Sequence, residues 1–521
     1  MKKLLKINFT LLIAAFLIVA CESDDDNAPV VPVNVPPVAV DLSMAMDMSD
    51  GNSKTVSLAA TDADGDVLTY SIVSQSSLGN VTVDGNQATF SANENANGDT
   101  TFTYKANDGQ ADSNTATVAV SIAGDFVLKG DITSKKTLSA DNVWTLDGAV
   151  FVLEGGELVI PAGTIIKAKA GQDTDASYLA IARGGKIDAQ GTADNPIVMT
   201  TVADDIEPGE KFGSSLTVDN RGLWGGLIVL GKAPSSFKGD VSEFAIEGVP
   251  GDDDRGLYGG SDAADNSGIM KYISIRHGGA LIGADNEING LTLGGVGTGT
   301  VIDHIEVVAN VDDGIEFFGG TVDATNLLVW GQGDDGLDID QAYSGTVDNA
   351  AVIAEAASDH GMEIDGPEGS APGSFMLKNI TLIGSMSAED GEYNDNRKGA
   401  TGTIDGLVAY GFQVGKDFEL DDEADSQTYT DGDLVFKNFE IVLPDDITEQ
   451  DENGNDVTVS ASLTGGDVFN DKTETPNANY EAAEDISGAV FATAVTDAAS
   501  ATVGADMSVF GWTMAKNAGK F

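Results

Sequence analysis

Acidic residues recur in this chain at a spacing that brings them into register. Gly314-Ile-Glu316-Phe317, Gly336-Leu-Asp338-Ile339, Gly361-Met-Glu363-Ile364 and Asp417-Phe-Glu419-Leu420 each set a carboxylate between two apolar residues. In a strand, successive side chains face opposite ways, so Glu316, Asp338, Glu363 and Glu419 point outward in one row while their neighbours point inward. Asp340, Asp365 and Asp421 follow on the same face. Just ahead of the strands stand Asp312-Asp313, Asp334-Asp335 and Asp359-His360, which gather Asp313, Asp334, Asp335 and His360 at one turn. Two chemistries suit such a set. Convergent oxygens hold a hard divalent cation such as Ca²⁺, and paired carboxyl groups, one protonated and one ionised, cleave glycosidic bonds.

Charges in this arrangement repel. Strands lie about 4.8 Å apart, so neighbouring carboxylates oppose each other by roughly 3.5 kcal/mol at an effective dielectric constant of 20. Relief must come from bound Ca²⁺, from protonation, or from interleaved Arg397, Lys398 and Lys416.

A regular repeat must position the row. Tyr272-Ile-Ser-Ile-Arg276, His304-Ile-Glu-Val-Val308, Asn326-Leu-Leu-Val-Trp330, Asn349-Ala-Ala-Val-Ile353, Asn379-Ile-Thr-Leu-Ile383, Gly406-Leu-Val-Ala-Tyr410 and Asn438-Phe-Glu-Ile-Val442 share one form. They recur at roughly 20 to 30 residues, the length of one solenoid coil. Their second and fourth residues are apolar throughout and would stack inside. Asn stands first in Asn326, Asn349, Asn379 and Asn438, which predicts an asparagine ladder. The outward residues Val308, Trp330, Ile353, Ile383, Tyr410 and Val442 form an apolar stripe, expected to lie under insertions such as 365–374. Left open, Trp330 and Tyr410 would offer surfaces for sugar stacking or protein docking.

With its asparagine ladder the repeat resembles the parallel β-helix of pectate-lyase-like proteins. That resemblance implies an all-β chain with a right-handed parallel β-helix over 124–521. A solenoid must cover its ends, and Met507–Phe521 is the expected C-terminal cap. Arg221–Leu230, Ser274–Gly279, Asn286–Gly294 and Asp312–Gly320 are similar to envelope β-helix lipoproteins of largely unassigned activity, a likeness that brings no catalytic residues with it. Gly333-Asp-Asp-Gly336 and Asp359-His-Gly361 resemble polygalacturonase-type hydrolases, which would make Asp313, Asp334, Asp335 and His360 catalytic. The pattern departs from theirs, because the motifs recur as one repeating turn. No Arg-x-Lys clamp is evident, and Arg397-Lys398 is a loose substitute. No catalytic residue is therefore favoured.

Ahead of the repeat, short alternating segments over 37–122 predict a β-sandwich. Asp62-Ala-Asp64-Gly-Asp66 and Tyr104-Lys-Ala-Asn-Asp108-Gly109 resemble cadherin-like or immunoglobulin-like repeats. Asp62, Asp64, Asp66 and Asp108 are its candidate Ca²⁺ ligands, with a plain Asp-Gly turn as the alternative.

At the start, Lys2, Lys3 and Lys6 precede an apolar run that ends at Cys21, the one cysteine of the chain. Residues 1–20 read as a signal peptide, and Ile18-Val-Ala-Cys21 resembles a lipobox with Cys21 as lipid anchor. Glu22-Ser-Asp-Asp-Asp26 looks like the surface-export signal of lipoproteins in the Bacteroidota, within an acidic, Pro-rich tether at 21–36. A lone cysteine leaves no intrachain disulfide. Acidic residues number 84 against 27 basic ones, for a net charge of −57, so nucleic acid is excluded as a partner and polyanionic glycans are disfavoured. No organic cofactor is expected.

The sequence thus points to an outer-membrane, surface-exposed lipoprotein that binds an extracellular glycan or a surface protein without catalysis. A polysaccharide hydrolase or lyase is the alternative. A lipoprotein presenting solute to an outer-membrane transporter is a third reading. Cys21→Ser should move the protein from the membrane to the soluble fraction, and unchanged fractionation would contradict the anchor.

Overall fold

The computed structural model describes residues 33–283, 286–450 and 456–521. The expected signal peptide, Cys21 and residues 21–32 of the tether lie outside them. The chain divides into two compact units at Gly124/Asp125.

The first unit is a sandwich of two sheets. One orders Leu42–Asp47, Ala116–Ala123, Gly98–Asn107 and Thr69–Ser74, and the other Ser53–Ser57, Gln87–Ala92 and Gly79–Asp84. Alternation along Gly98–Asn107 and Ala116–Ala123 sends Phe102, Tyr104, Val118 and Val120 into the core, with Phe90 from the facing sheet. The Phe90 and Phe102 rings stack at 6.5 Å.

The second unit is a solenoid. Among the described residues its coils form one sheet of 24 strands, from Val127–Ile132 to Ala492–Ala494, paired in parallel, with three two-stranded antiparallel hairpins in its insertions. From Gly268–Arg276 onward each coil contributes one long and one short strand. The apolar positions stack as expected: Ile273, Ile305, Leu327, Ala350, Ile380, Leu407 and Phe439 are register partners in sequence, each at most 1 % exposed.

The residue that opens each repeat has a conformational role. Tyr272, His304, Asn326, Asn349, Asn379, Gly406 and Asn438 all adopt positive φ, from 51° to 80°. Asn and Gly enter this region at low cost. Each bends its long strand mid-course, so that the two halves join different faces, and the register skips the bend. The asparagine ladder is only partly realised. Asn349 donates to Asn326 at 2.8 Å, but Asn326, Asn379 and Asn438 donate to Asp303, Asp348 and Asp405 at 2.7–2.8 Å. Backbone shape therefore selects Asn here more than amide stacking does.

Two expectations about the apolar stripe are corrected. Trp330 is 4 % exposed and packs with Val308, Ile353, Phe510 and Ala515, while its Nε1–H donates to Glu355 at 2.8 Å. It is not a stacking surface, and Tyr410 is half-buried. The cover is the C-terminal segment, whereas the 365–374 insertion bonds to Ser236 and Asp240. That C-terminal segment, expected as an end cap, instead runs back along the side of the solenoid. Thr502 bonds to Glu440, Ala505 to Thr381, Asp506 to Asn349 and Ala515 to Glu306. Aromatic residues fill the last coils instead, among them Tyr429, Phe436, Phe469, Tyr480 and Phe491.

Phe510→Ala should lower unfolding free energy by about 3 kcal/mol. It should also raise acrylamide quenching of tryptophan fluorescence as Trp330 is uncovered. Urea denaturation and quenching check both.

Candidate functional site

The short strands build the acidic row. Their register sets Thr292, Glu316, Asp338, Glu363, Asp395, Glu419 and Asn470 side by side. Asp395 is a member that the sequence pattern does not reveal. Its flanks Asn394 and Asn396 take the inward places that Met362 and Ile364 hold on the preceding coil, and both are fully buried. With polar residues inward, the apolar–acidic–apolar signature disappears. Only the need for a strand between the Asn379 and Gly406 repeats would have pointed to Glu392–Arg397.

The row faces away from the coil interior, yet Glu316, Glu363, Asp395 and Glu419 are 5–9 % exposed. Part of the cover is Glu247, carried by the long insertion before Gly268. Asn289 bonds to Glu316 and, at 3.0 Å, to Glu247.

Neutralisation divides the row in two. Beyond Asp338, cations interleave: Arg397 pairs with Glu363 and bonds Asp365 through Nε at 2.8 Å, Lys398 pairs with Asp365, and Lys472 pairs with Glu419. Lys416 departs from expectation, lying 3.6 Å from Glu392 outside the row. Among the described residues, Asp313, Glu316, Asp338, Asp340 and Glu247 have no ion-pair partner. Ligand atoms of Asp313, Glu316 and Asp338 lie within 4.8 Å of one another, and Asp338 Oδ1 is buried without a hydrogen bond.

Burial, then mutual repulsion, pushes these carboxyl groups toward the neutral form. Asp313, Glu316 and Asp338 are raised well above the carboxylate range, and Asp340 rises to about 7. Burial also lifts Asp395 to about 7. At the turn, burial and the charges of neighbouring acids take Asp312 to about 8 and Asp334 to about 6.

The turn residues have a structural reason to repeat. Asn289 Oδ1 accepts the Asp313 N–H at 3.2 Å, Asp313 Oδ1 the Asp335 N–H at 2.9 Å, and Asp335 Oδ1 the His360 N–H at 3.0 Å. Each side chain thus satisfies the backbone of the next coil. The glycine that follows is required by close approach: a Cβ on Gly314 or Gly336 would lie 2.3–2.4 Å from Val329 or Val352. Asp335 Oδ1 also meets His360 Nδ1 at 2.8 Å. Burial disfavours charge on this ring, but Asp335 and Asp359 outweigh it and raise His360 to about 9.

In the first unit, Asp62, Asp64 and Asp66 converge within 4.8 Å. Asp62 Oδ1 accepts the N–H groups of Asp64, Gly65 and Asp66 at 2.8–3.0 Å, while Oδ2 is buried without a partner. Asp108 has both oxygens engaged, by the Gln110 and Ala111 N–H groups at 2.7 Å and by Asn34 at 2.8 Å.

A family profile described as pectate-lyase-like beta helix domain matches residues 130–500. The chain belongs to this β-helix family. A second profile, bacterial Ig domain, matches residues 34–121 and gives the sandwich its kinship. No curated protein matches the chain. A crystal structure of human protocadherin-24 EC1-2 is similar over 22 % of this β-helix protein and 58 % of its own chain, at 16 % identity and a TM-score of 0.16. The chain thus spans a little over half of that structure, and so slight a likeness carries no argument.

Carboxyl groups whose folded pKa lies above the unfolded value near 3.9 stabilise the fold fully only below that value. The contribution is lost as pH rises through the folded pKa. With Asp340 and Asp395 near 7, metal-free protein should lose stability between about pH 4 and 8. Each group should contribute a slope of roughly 1.4 kcal/mol per pH unit while it is protonated in the folded chain and ionised in the unfolded one. Asp338→Asn with Glu316→Gln should flatten the decline. Urea unfolding across this range in a chelator tests it, and stability rising with pH would contradict it.

Proposed function

We propose that the chain is a lipid-anchored, surface-displayed, non-catalytic binding protein whose β-helix engages an extracellular glycan or surface protein through Ca²⁺ on its acidic face. One observation carries the reading. The carboxylates that a hydrolase would need free, Asp313 and Asp335, each hold Oδ1 on the backbone N–H of the next coil. Asp313, Glu316 and Asp338 are oxygen donors of the kind Ca²⁺ takes in sets of about six to eight. They supply part of such a set, and ligand hydroxyls or water would complete it. Asp62, Asp64 and Asp66 offer a second oxygen group, with Asp62 Oδ2 in want of a partner. Anchorage rests on Ile18-Val-Ala-Cys21, and surface display on the acidic residues that follow.

A hydrolase reading retains one observation in its favour. Asp312, near 8, and Asp334, near 6, sit beside each other with ligand atoms within 4.8 Å. At neutral pH one is mainly protonated and the other mainly ionised, as an acid and base pair requires.

A glycan array read with Ca²⁺ and with chelator, followed by a reducing-sugar assay on each bound glycan, separates the two. The binding reading expects Ca²⁺-dependent retention without release of reducing ends, weakened about tenfold or more by Asp338→Asn with Glu316→Gln. Release of reducing ends that Asp312→Asn or Asp334→Asn abolishes would establish the hydrolase in its place.

A further inference from the structure

The chain has three histidines. His277 is 1 % exposed and its Nδ1 meets the Asn220 carbonyl at 2.7 Å. His304 stacks on Tyr272 and bonds Asp303. His360 alone stands on the acidic face, and its surroundings differ in kind from the oxygen-only group one coil away.

Three successive coils converge on it. Asp335 comes from one, His360 and Glu363 from the next, and Asp395 from the third, as register partner of Glu363. Ligand atoms of Asp335, His360 and Glu363 lie within 4.8 Å of one another. Donors held about 2.0–2.2 Å from one small ion are separated by a comparable span. A second observation is independent of this grouping. Asp395 is 8 % exposed, and its Oδ1 is buried without a hydrogen-bond partner. A buried carboxylate oxygen without a donor costs free energy unless something occupies its lone pairs.

We infer that Asp335, His360, Glu363 and Asp395 form a binding site for a divalent transition-metal ion of the Zn²⁺ or Mn²⁺ class, distinct from the Asp313–Glu316–Asp338 group. An imidazole among carboxylates suits these ions, whereas Ca²⁺ is held by oxygen alone. The proton between His360 Nδ1 and Asp335 Oδ1, 2.8 Å apart, occupies the place the ion would take, so binding expels it to solvent. Arg397 is the stand-in cation of the metal-free site. It pairs with Glu363, lies 3.9 Å from Asp395 Oδ2 through Nε, and bonds Asp365 through the same nitrogen at 2.8 Å. Asp365 retains the guanidinium when Glu363 turns to the metal.

The test uses the mature chain with Cys21→Ser, stripped with chelator and titrated with Zn²⁺ by calorimetry in two buffers of different ionisation enthalpy. The expected result is Zn²⁺ uptake with proton release. His360→Gln should weaken it at least tenfold and remove the proton released from the ring, while His304→Gln changes neither. Asp395→Asn should also weaken uptake at least tenfold and, because Asp395 Oδ1 bonds nothing, should fold normally by circular dichroism. It keeps the proposal testable if His360→Gln does not fold. Ca²⁺ titration of the same variants separates the two groups, since its affinity should stay unchanged. Absence of Zn²⁺ uptake by the folded chain, or uptake unaltered in both His360→Gln and Asp395→Asn, would overturn the site.

Discussion

Along the paired strands of this solenoid, a side chain has its equivalent on the neighbouring coil about 4.8 Å away. That in-register spacing is the constraint on which the rest depends. It rewards stacked apolar residues inside, from Ile273 through Phe439. It admits Asn, Gly, His and Tyr at a left-handed bend that recurs in seven successive repeats. It forces glycine where the Val329 and Val352 side chains approach the turn, and it lets one side chain satisfy the backbone of the next coil along Asn289, Asp313 and Asp335.

The same spacing makes a repeated acid costly, and the structure meets that cost in two ways. Where the loops supply Arg397, Lys398 and Lys472, the carboxylates are paired. Where they supply Glu247 and Asn289 instead, burial and repulsion push Glu316 and Asp338 toward the neutral form. A group held neutral by its surroundings is one whose ionisation a bound cation would favour. The unmet electrostatic demand of the acidic face is thus concentrated on Asp313, Glu316 and Asp338, which no cation pairs among the described residues.

Cover over the flanks comes from segments outside the repeat. The C-terminal segment lies across Val308, Trp330 and Ile353, tied at one end by Glu306, a fully buried carboxylate that also accepts from Ser274. An apolar row of this kind would otherwise be an exposed hydrophobic patch. The segment removes it and leaves the acidic face as the chemically distinctive surface.

Much was legible in the residues themselves. The alternation in seven repeats specified the coil and its inward positions, and that of the short acidic segments the outward direction of Glu316, Asp338, Glu363 and Glu419, because side-chain direction in a strand is a local property with a period of two. The sandwich was readable for the same reason. What could not be read was whatever depends on residues distant in sequence. Asp395 was hidden because Asn394 and Asn396 break the local pattern while the register of neighbouring coils still imposes it. The burial of the row depends on Glu247 and Asn289, the pairing of Glu419 on Lys472, and the covering of Trp330 on Phe510. The residue pattern dictates which way each side chain leaves its strand, whereas what it meets there follows from the folded chain, since exposure, charge partner and proton affinity are set by segments that no local period encodes.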